Sequence, residues 1–158
     1  AQRLVHSKRY TFYKYDKHNR LIITGFRNLS SNYTTLTSEA MSMSDNNRYE
    51  SRSNSSSEIG YTRNNSFPLE TVSIGNIKTV TYYDDYLFTD YTNWDAEGID
   101  FDYINDFNIP TENQQVKGLV TGSKVKNLGD NTWLNTVVYY DNDYRQIQVV
   151  SENHLGGY

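Results

Sequence analysis

The densest set of side chains able to do chemistry is acidic: Asp95, Glu97, Asp100 and Asp102, with Gly98 among them. Carboxylates spaced in this way around a glycine could wrap a hard cation such as calcium. The spacing departs from the EF-hand loop, and an acidic strand with one solvated face produces the same alternation. These four are therefore the candidate metal ligands, and calcium is the one cofactor they suggest. The histidines, His6, His18 and His154, are too scattered for a catalytic or metal constellation. The chain has no cysteine, which excludes thiolate nucleophiles, disulfides and cysteine-ligated zinc. It contains no Gly-x-Ser-x-Gly elbow, no phosphate-binding Walker loop and no dinucleotide fingerprint. The expectation is a protein that is not an enzyme.

Aromatic residues offer a second chemistry. Trp94, Trp133 and the 15 tyrosines could form a stacking platform for sugar rings, although aromatics in β proteins more often pack in cores or across strands. A formal charge of −4 over 158 residues argues against nucleic acid or an anionic membrane as partner. No apolar run approaches the ~20 residues that a bilayer-spanning helix needs, so membrane insertion is not expected. The first nine residues lack the apolar stretch of a signal peptide.

The elements that must position these residues read as β structure, because tyrosine suits a half-buried pleated surface. Over 9–25, Tyr13 and Tyr15 share one face of a strand, and Leu21 and Ile23 resume an apolar face after a polar interruption. Asp16 can accept backbone amides in the turn, and Asn19 tolerates positive φ where glycine is otherwise expected. This is a hairpin. Over 133–150 the pattern returns, with Tyr140, Asp141 and Arg145 at the spacing of Tyr15, Asp16 and Arg20. A third, degraded copy falls at 72–88, carrying Tyr83 and Asp84 but Phe88 in place of the arginine. Repetition of a hairpin points to a repeat architecture.

Between the copies, 28–66 is rich in Ser, Asn and Thr with few large apolar residues, and reads as a long surface excursion with at most a short helix within 37–48 capped by Thr37. Residues 116–126 read as two short strands broken by Gly118 and Gly122, followed by a turn at 127–131.

The run from Tyr15 to Gly25, with Asp16, Asn19 and Arg20, resembles the YD repeat of the Rhs and teneurin class, whose pattern is Tyr-Asp-x-x-Gly-Arg-Leu/Val. Tyr140, Asp141 and Arg145 resemble it again. Both copies depart at the glycine slot, which holds Asn19 in one and Tyr144 in the other. Tyrosine there implies a different turn. The order of the downstream blocks, 78–86, 117–125 and 151–158, is similar to the repeat-bearing part of Rhs-like secreted or cell-surface proteins of the Bacteroidota.

What the resemblance implies is an all-β fold in which antiparallel hairpins spiral into a shell around an enclosed toxin. This chain would be one wall segment spanning 1–158, a fragment of a longer polypeptide. Its partners would be the remainder of that polypeptide, an outer-membrane secretion machinery and the enclosed toxin. A cell-surface adhesin or carbohydrate-binding module, with a surface glycan as ligand, is the alternative. On residue chemistry, Asp16 and Asp141 should fix turns, while Arg20 and Arg145 lie across a neighbouring strand, stacking on a tyrosine ring and pairing with a carboxylate.

Overall fold

The computed structural model describes residues 8–29, 33–44, 48–53, 59–69, 72–90 and 114–155. The candidate calcium ligands Asp95, Glu97, Asp100 and Asp102 lie outside the described residues, as do Trp94 and His6.

The fold is mostly β. Strands β1 (Lys8–Tyr15), β2 (Leu21–Leu29), β3 (Ile77–Tyr83), β4 (Val120–Lys126), β5 (Trp133–Tyr140) and β6 (Gln146–Ser151) form one open sheet in sequence order. Pairs β1/β2, β4/β5 and β5/β6 are antiparallel. Contacts cluster into two compact units, 1–53 with 61–79 and 54–60 with 80–158, so β3 contributes its first residues to one and the rest to the other.

In the first unit, alternation along β1 turns Phe12 and Lys14 inward and Thr11, Tyr13 and Tyr15 outward. Lys14 pairs with Ile23 and Tyr15 with Leu21, so Ile22 is the extra residue of a bulge, and the consecutive Ile22 and Ile23 are both buried. Gly25 lies opposite Phe12. A Cβ there would meet the Asn76 carbonyl oxygen and come within 2.5 Å of the Phe12 ring, so the close approach of β2 to its neighbours demands glycine.

The described residues of the 28–66 stretch are more ordered and more buried than composition suggests. Helix α1 spans Tyr33–Met41, beginning before Thr37, which therefore sits inside it rather than capping it. Further along, Glu50, Ile59, Tyr61 and Ser66 are buried. Polar composition did not prevent burial because the buried carboxylate has a full set of hydrogen-bond partners, given below.

The second unit differs from expectation at two places. The hairpin expected over 72–88 is a single strand, β3, followed by a 3₁₀ turn at Leu87–Asp90, and the strands beside β3 are β2 and β4, neither joined to it by a tight turn. Phe88 occupies the arginine slot because its ring is buried, stacked on Tyr82 with centroids 4.2 Å apart. Gly122, expected to break a strand, instead lies within a continuous β4. A Cβ there would stand 2.5 Å from the Phe88 ring, so the glycine makes room for it. The turn at 127–131 closes β4 onto β5, with Asn127 N–H donating to Thr132 O and Asn131 N–H to Asn127 O, both at 2.9 Å.

Candidate functional site

The β1–β2 and β5–β6 turns are each built by one aspartate. In the β1–β2 connection, Asp16 Oδ1 accepts the amides of His18 and Arg20, both at 2.9 Å, and Oδ2 accepts Arg20 Nε at 2.7 Å and lies 2.6 Å from Nη2. The backbone closes the loop with Asp16 N–H donating to Arg20 O and Asn19 N–H to Asp16 O, both at 3.0 Å. In the β5–β6 connection, Asp141 Oδ1 accepts the amides of Asp143 and Arg145, both at 2.9 Å, and Oδ2 accepts Arg145 Nε at 2.7 Å. Asp141 N–H donates to Arg145 O and Tyr144 N–H to Asp141 O, both at 2.9 Å.

The correspondence extends to the backbone. Asn19 has φ 59° and Tyr144 φ 62°, and each hairpin carries its bulge at the motif tyrosine, between Lys14 and Tyr15 and between Tyr139 and Tyr140. The expectation that tyrosine at this slot implies a different turn is therefore overturned. The aspartate fastens both sides of the slot, and those bonds hold Tyr144 in the left-handed region that tyrosine on its own disfavours.

The carboxylate that each arginine pairs with is the aspartate of its own turn. Arg145 adds Asp143 at 3.1 Å. Hydrogen bonds from the Arg145 amide and side chain and from the Asp143 amide, against a smaller opposing effect of burial, hold the Asp141 carboxyl below its ordinary range. At Asp16, burial pushes upward, and the Arg20 amide and guanidinium with the His18 amide outweigh it, again leaving the carboxyl low.

Asp84 is a third version of the same device. It has φ 76°, accepts the amide of Gly118 on Oδ1 at 2.7 Å and donates its own N–H to Leu119 O at 3.2 Å. Its partners thus lie at the start of β4 rather than a few residues ahead, so the aspartate closes the neck of a long connection instead of a tight turn. Thr121 Oγ1 to Asp85 O at 2.6 Å and Tyr86 OH to Val138 O at 3.2 Å hold the same neck. The motif tyrosines take different positions: Tyr15 and Tyr83 are not buried, whereas Tyr140 is buried and donates its hydroxyl to Val120 O at 2.7 Å.

Sequence reading missed the most buried charge cluster. Lys14 and Glu50 form an ion pair at 2.8 Å with both side chains fully buried. Lys14 Nζ also donates to Ser66 O at 2.7 Å and Pro68 O at 3.1 Å. Glu50 Oε1 further accepts the amide and hydroxyl of Ser66, both at 2.9 Å, and Oε2 accepts Thr62 Oγ1 at 2.6 Å and the Asn65 amide at 3.2 Å. Burial pushes the Lys14 ammonium down, with the hydrogen bond and charge of Glu50 opposing. Lys14 did carry a signal, a lysine in phase with the inward-facing Phe12. Glu50 carried none.

The other candidates are dispersed. His18 and His154 are exposed. Trp133 lies under Lys126, whose Nζ is 4.3 Å from the ring centroid. Among the described residues no group of three His, Cys, Asp or Glu side chains could hold a metal ion, and no helix is long and apolar enough to cross a membrane. No family model matches this sequence, and no match was found among curated proteins or among solved structures.

Proposed function

We propose that this chain is a wall segment of a larger exported protein of the YD-repeat kind, with a structural rather than a catalytic role. The observation that carries the reading is the repetition of one turn, bond for bond, at Asp16–Arg20 and at Asp141–Arg145. In both, the carboxylate is committed to backbone amides and to its own arginine, an arrangement that stiffens a ribbon and leaves the aspartate occupied. Hairpins joined side by side suit a barrier assembled from repeats, in which each unit depends on its neighbours.

The end strands of the sheet point the same way. β1 and β6 stand at the two ends of the strand order, and an open edge favours pairing with another strand. In a longer polypeptide, following hairpins would cover that edge, and the wall would enclose a toxin or other cargo after passage through an outer-membrane secretion machinery. The outward-facing pair Tyr13 and Tyr15, 52% and 38% exposed, favours a second reading as a glycan-binding adhesin.

Sedimentation and thermal unfolding of the 158-residue chain test the proposal. A wall segment associates or aggregates as its concentration rises, and melts broadly, because its edges lack their neighbours. A monomer with one sharp, cooperative transition would contradict it. Binding above background on a glycan array that is lost in Tyr13→Ala with Tyr15→Ala would favour the adhesin.

A further inference from the structure

The stretches 48–53 and 61–69 bond to each other before they meet the hairpin. Arg52 bridges Tyr61 in an antiparallel pair, Thr62 N–H donates to Ser51 O at 2.9 Å, Ser51 N–H donates to Thr62 Oγ1 at 2.9 Å, and the Arg52 guanidinium sits 4.7 Å from the Tyr61 ring centroid. The hydrogen bonds between these stretches and β1 converge on one place: Glu50 N–H donates to Tyr15 O at 2.8 Å, and Lys14 donates to Glu50, Ser66 O and Pro68 O.

We propose that Lys14 and Glu50 form an acid-released latch that fastens the segment made of 48–53 and 61–69 to the β1–β2 hairpin. The carboxylate is the keystone: it accepts Lys14 from β1 and Thr62, Asn65 and Ser66 from the segment. Protonation removes the counter-charge from an ammonium that is fully buried, and an unpaired buried charge is far costlier than the same charge in water. Opening lets Lys14 rehydrate. Among the described residues, the other charges acting on Lys14 are Arg27 on β2 and Glu39 on α1, which act in opposite senses and stand 3.8 Å from each other. Glu39 Oε1 also accepts the Leu69 amide at 2.8 Å, a second and weaker tie on the far end of the segment.

The sign follows from the carboxylate. Burial pushes Glu50 upward, but its hydrogen bonds and the charge of Lys14 outweigh that and leave it below the ordinary 4.5. The latch is therefore closed above that pH and is lost as pH falls through the lower folded value. This inference stands on the geometry of the first unit and is independent of the wall reading.

Hydrogen exchange followed by mass spectrometry on the dilute 158-residue chain, with labelling times scaled to intrinsic rates, tests it between about pH 7 and pH 3. Peptides covering 48–53 and 61–69 should lose protection about tenfold at the acid end, while β5–β6 peptides keep theirs and report that the rest stays folded. Glu50→Gln should show the loss already at pH 7. The apolar pair Lys14→Met with Glu50→Leu has no charge to titrate there and should show the same protection at acid pH as at neutral pH. Three results would each overturn the latch: persistent protection of the wild-type segment in acid, protection of Glu50→Gln equal to wild type at pH 7, or acid release of the apolar pair matching wild type. Loss of β5–β6 protection together with the segment would equally overturn it, since release would then be general unfolding.

Discussion

The hairpins β1–β2 and β5–β6 share a turn and differ in nearly everything that surrounds it. Both close through an aspartate that gathers the amides two and four residues ahead and the arginine side chain four ahead. Yet the Arg20 side chain is 22% exposed and that of Arg145 is 68% exposed. The inward residue before the motif tyrosine is Lys14 in one hairpin, locked in a buried ion pair, and Tyr139 in the other, stacked 5.1 Å from Tyr86. A turn that survives such different settings is specified by its own residues. The cover over each hairpin, by contrast, is set by distant parts of the chain.

That division can be broken first at the cover. Glu50→Ala leaves Lys14 buried without a counter-charge and should cost about 3–5 kcal/mol in urea unfolding, more than any turn substitution. A cost below that of removing the turn aspartate would mean the pair is not what holds the first unit's cover in place.

The turns come next. Asp16→Ala strands two amides and releases Arg20, for an expected loss of about 1–2 kcal/mol at neutral pH. Asp141→Ala should destabilise its own hairpin in the same direction, despite the exposed arginine. Both carboxyls sit below their ordinary 3.8 in the folded chain. Their contribution is therefore present above that pH and disappears as pH falls through the folded values, where wild type and the alanine variants should converge. Unfolding curves at about pH 7 and pH 2.5 check the sign, and a gap that widens in acid would refute it.

The smallest effect sharpens the comparison at the slot where the two turns differ. Tyr144→Asn copies Asn19, and asparagine accepts a φ near 62° at less cost than tyrosine. A gain of about 0.5 kcal/mol or less is expected, read from the exchange protection of the β5–β6 amides. A clear loss would show that the Tyr144 ring has a packing role.

These outcomes bear on what one sequence can reveal. The β-rich character, the two complete hairpins and the role of Asp16 and Asp141 were legible because turn chemistry is local, contained within five residues. Tyr144 misled because its intrinsic preference is overridden by bonds from a neighbouring side chain. Asp84 misled because its partners, Gly118 and Leu119, lie beyond a long insertion, so a neck resembled a decayed turn. The excursion misled because composition measures apolar content, whereas Glu50 is buried on satisfied polar bonds. A pairing as distant as Lys14 with Glu50 leaves no spacing for a reader to recognise.

Exchanging the two turns tests the central claim most directly. In one chain, residues 16–20 take the sequence Asp-Asn-Asp-Tyr-Arg and residues 141–145 take Asp-Lys-His-Asn-Arg. Self-specified turns predict that urea unfolding stays within about 1 kcal/mol of wild type and that the amides two and four residues after each aspartate remain protected from exchange. Loss of that protection in either hairpin, or a chain that no longer folds, would contradict it.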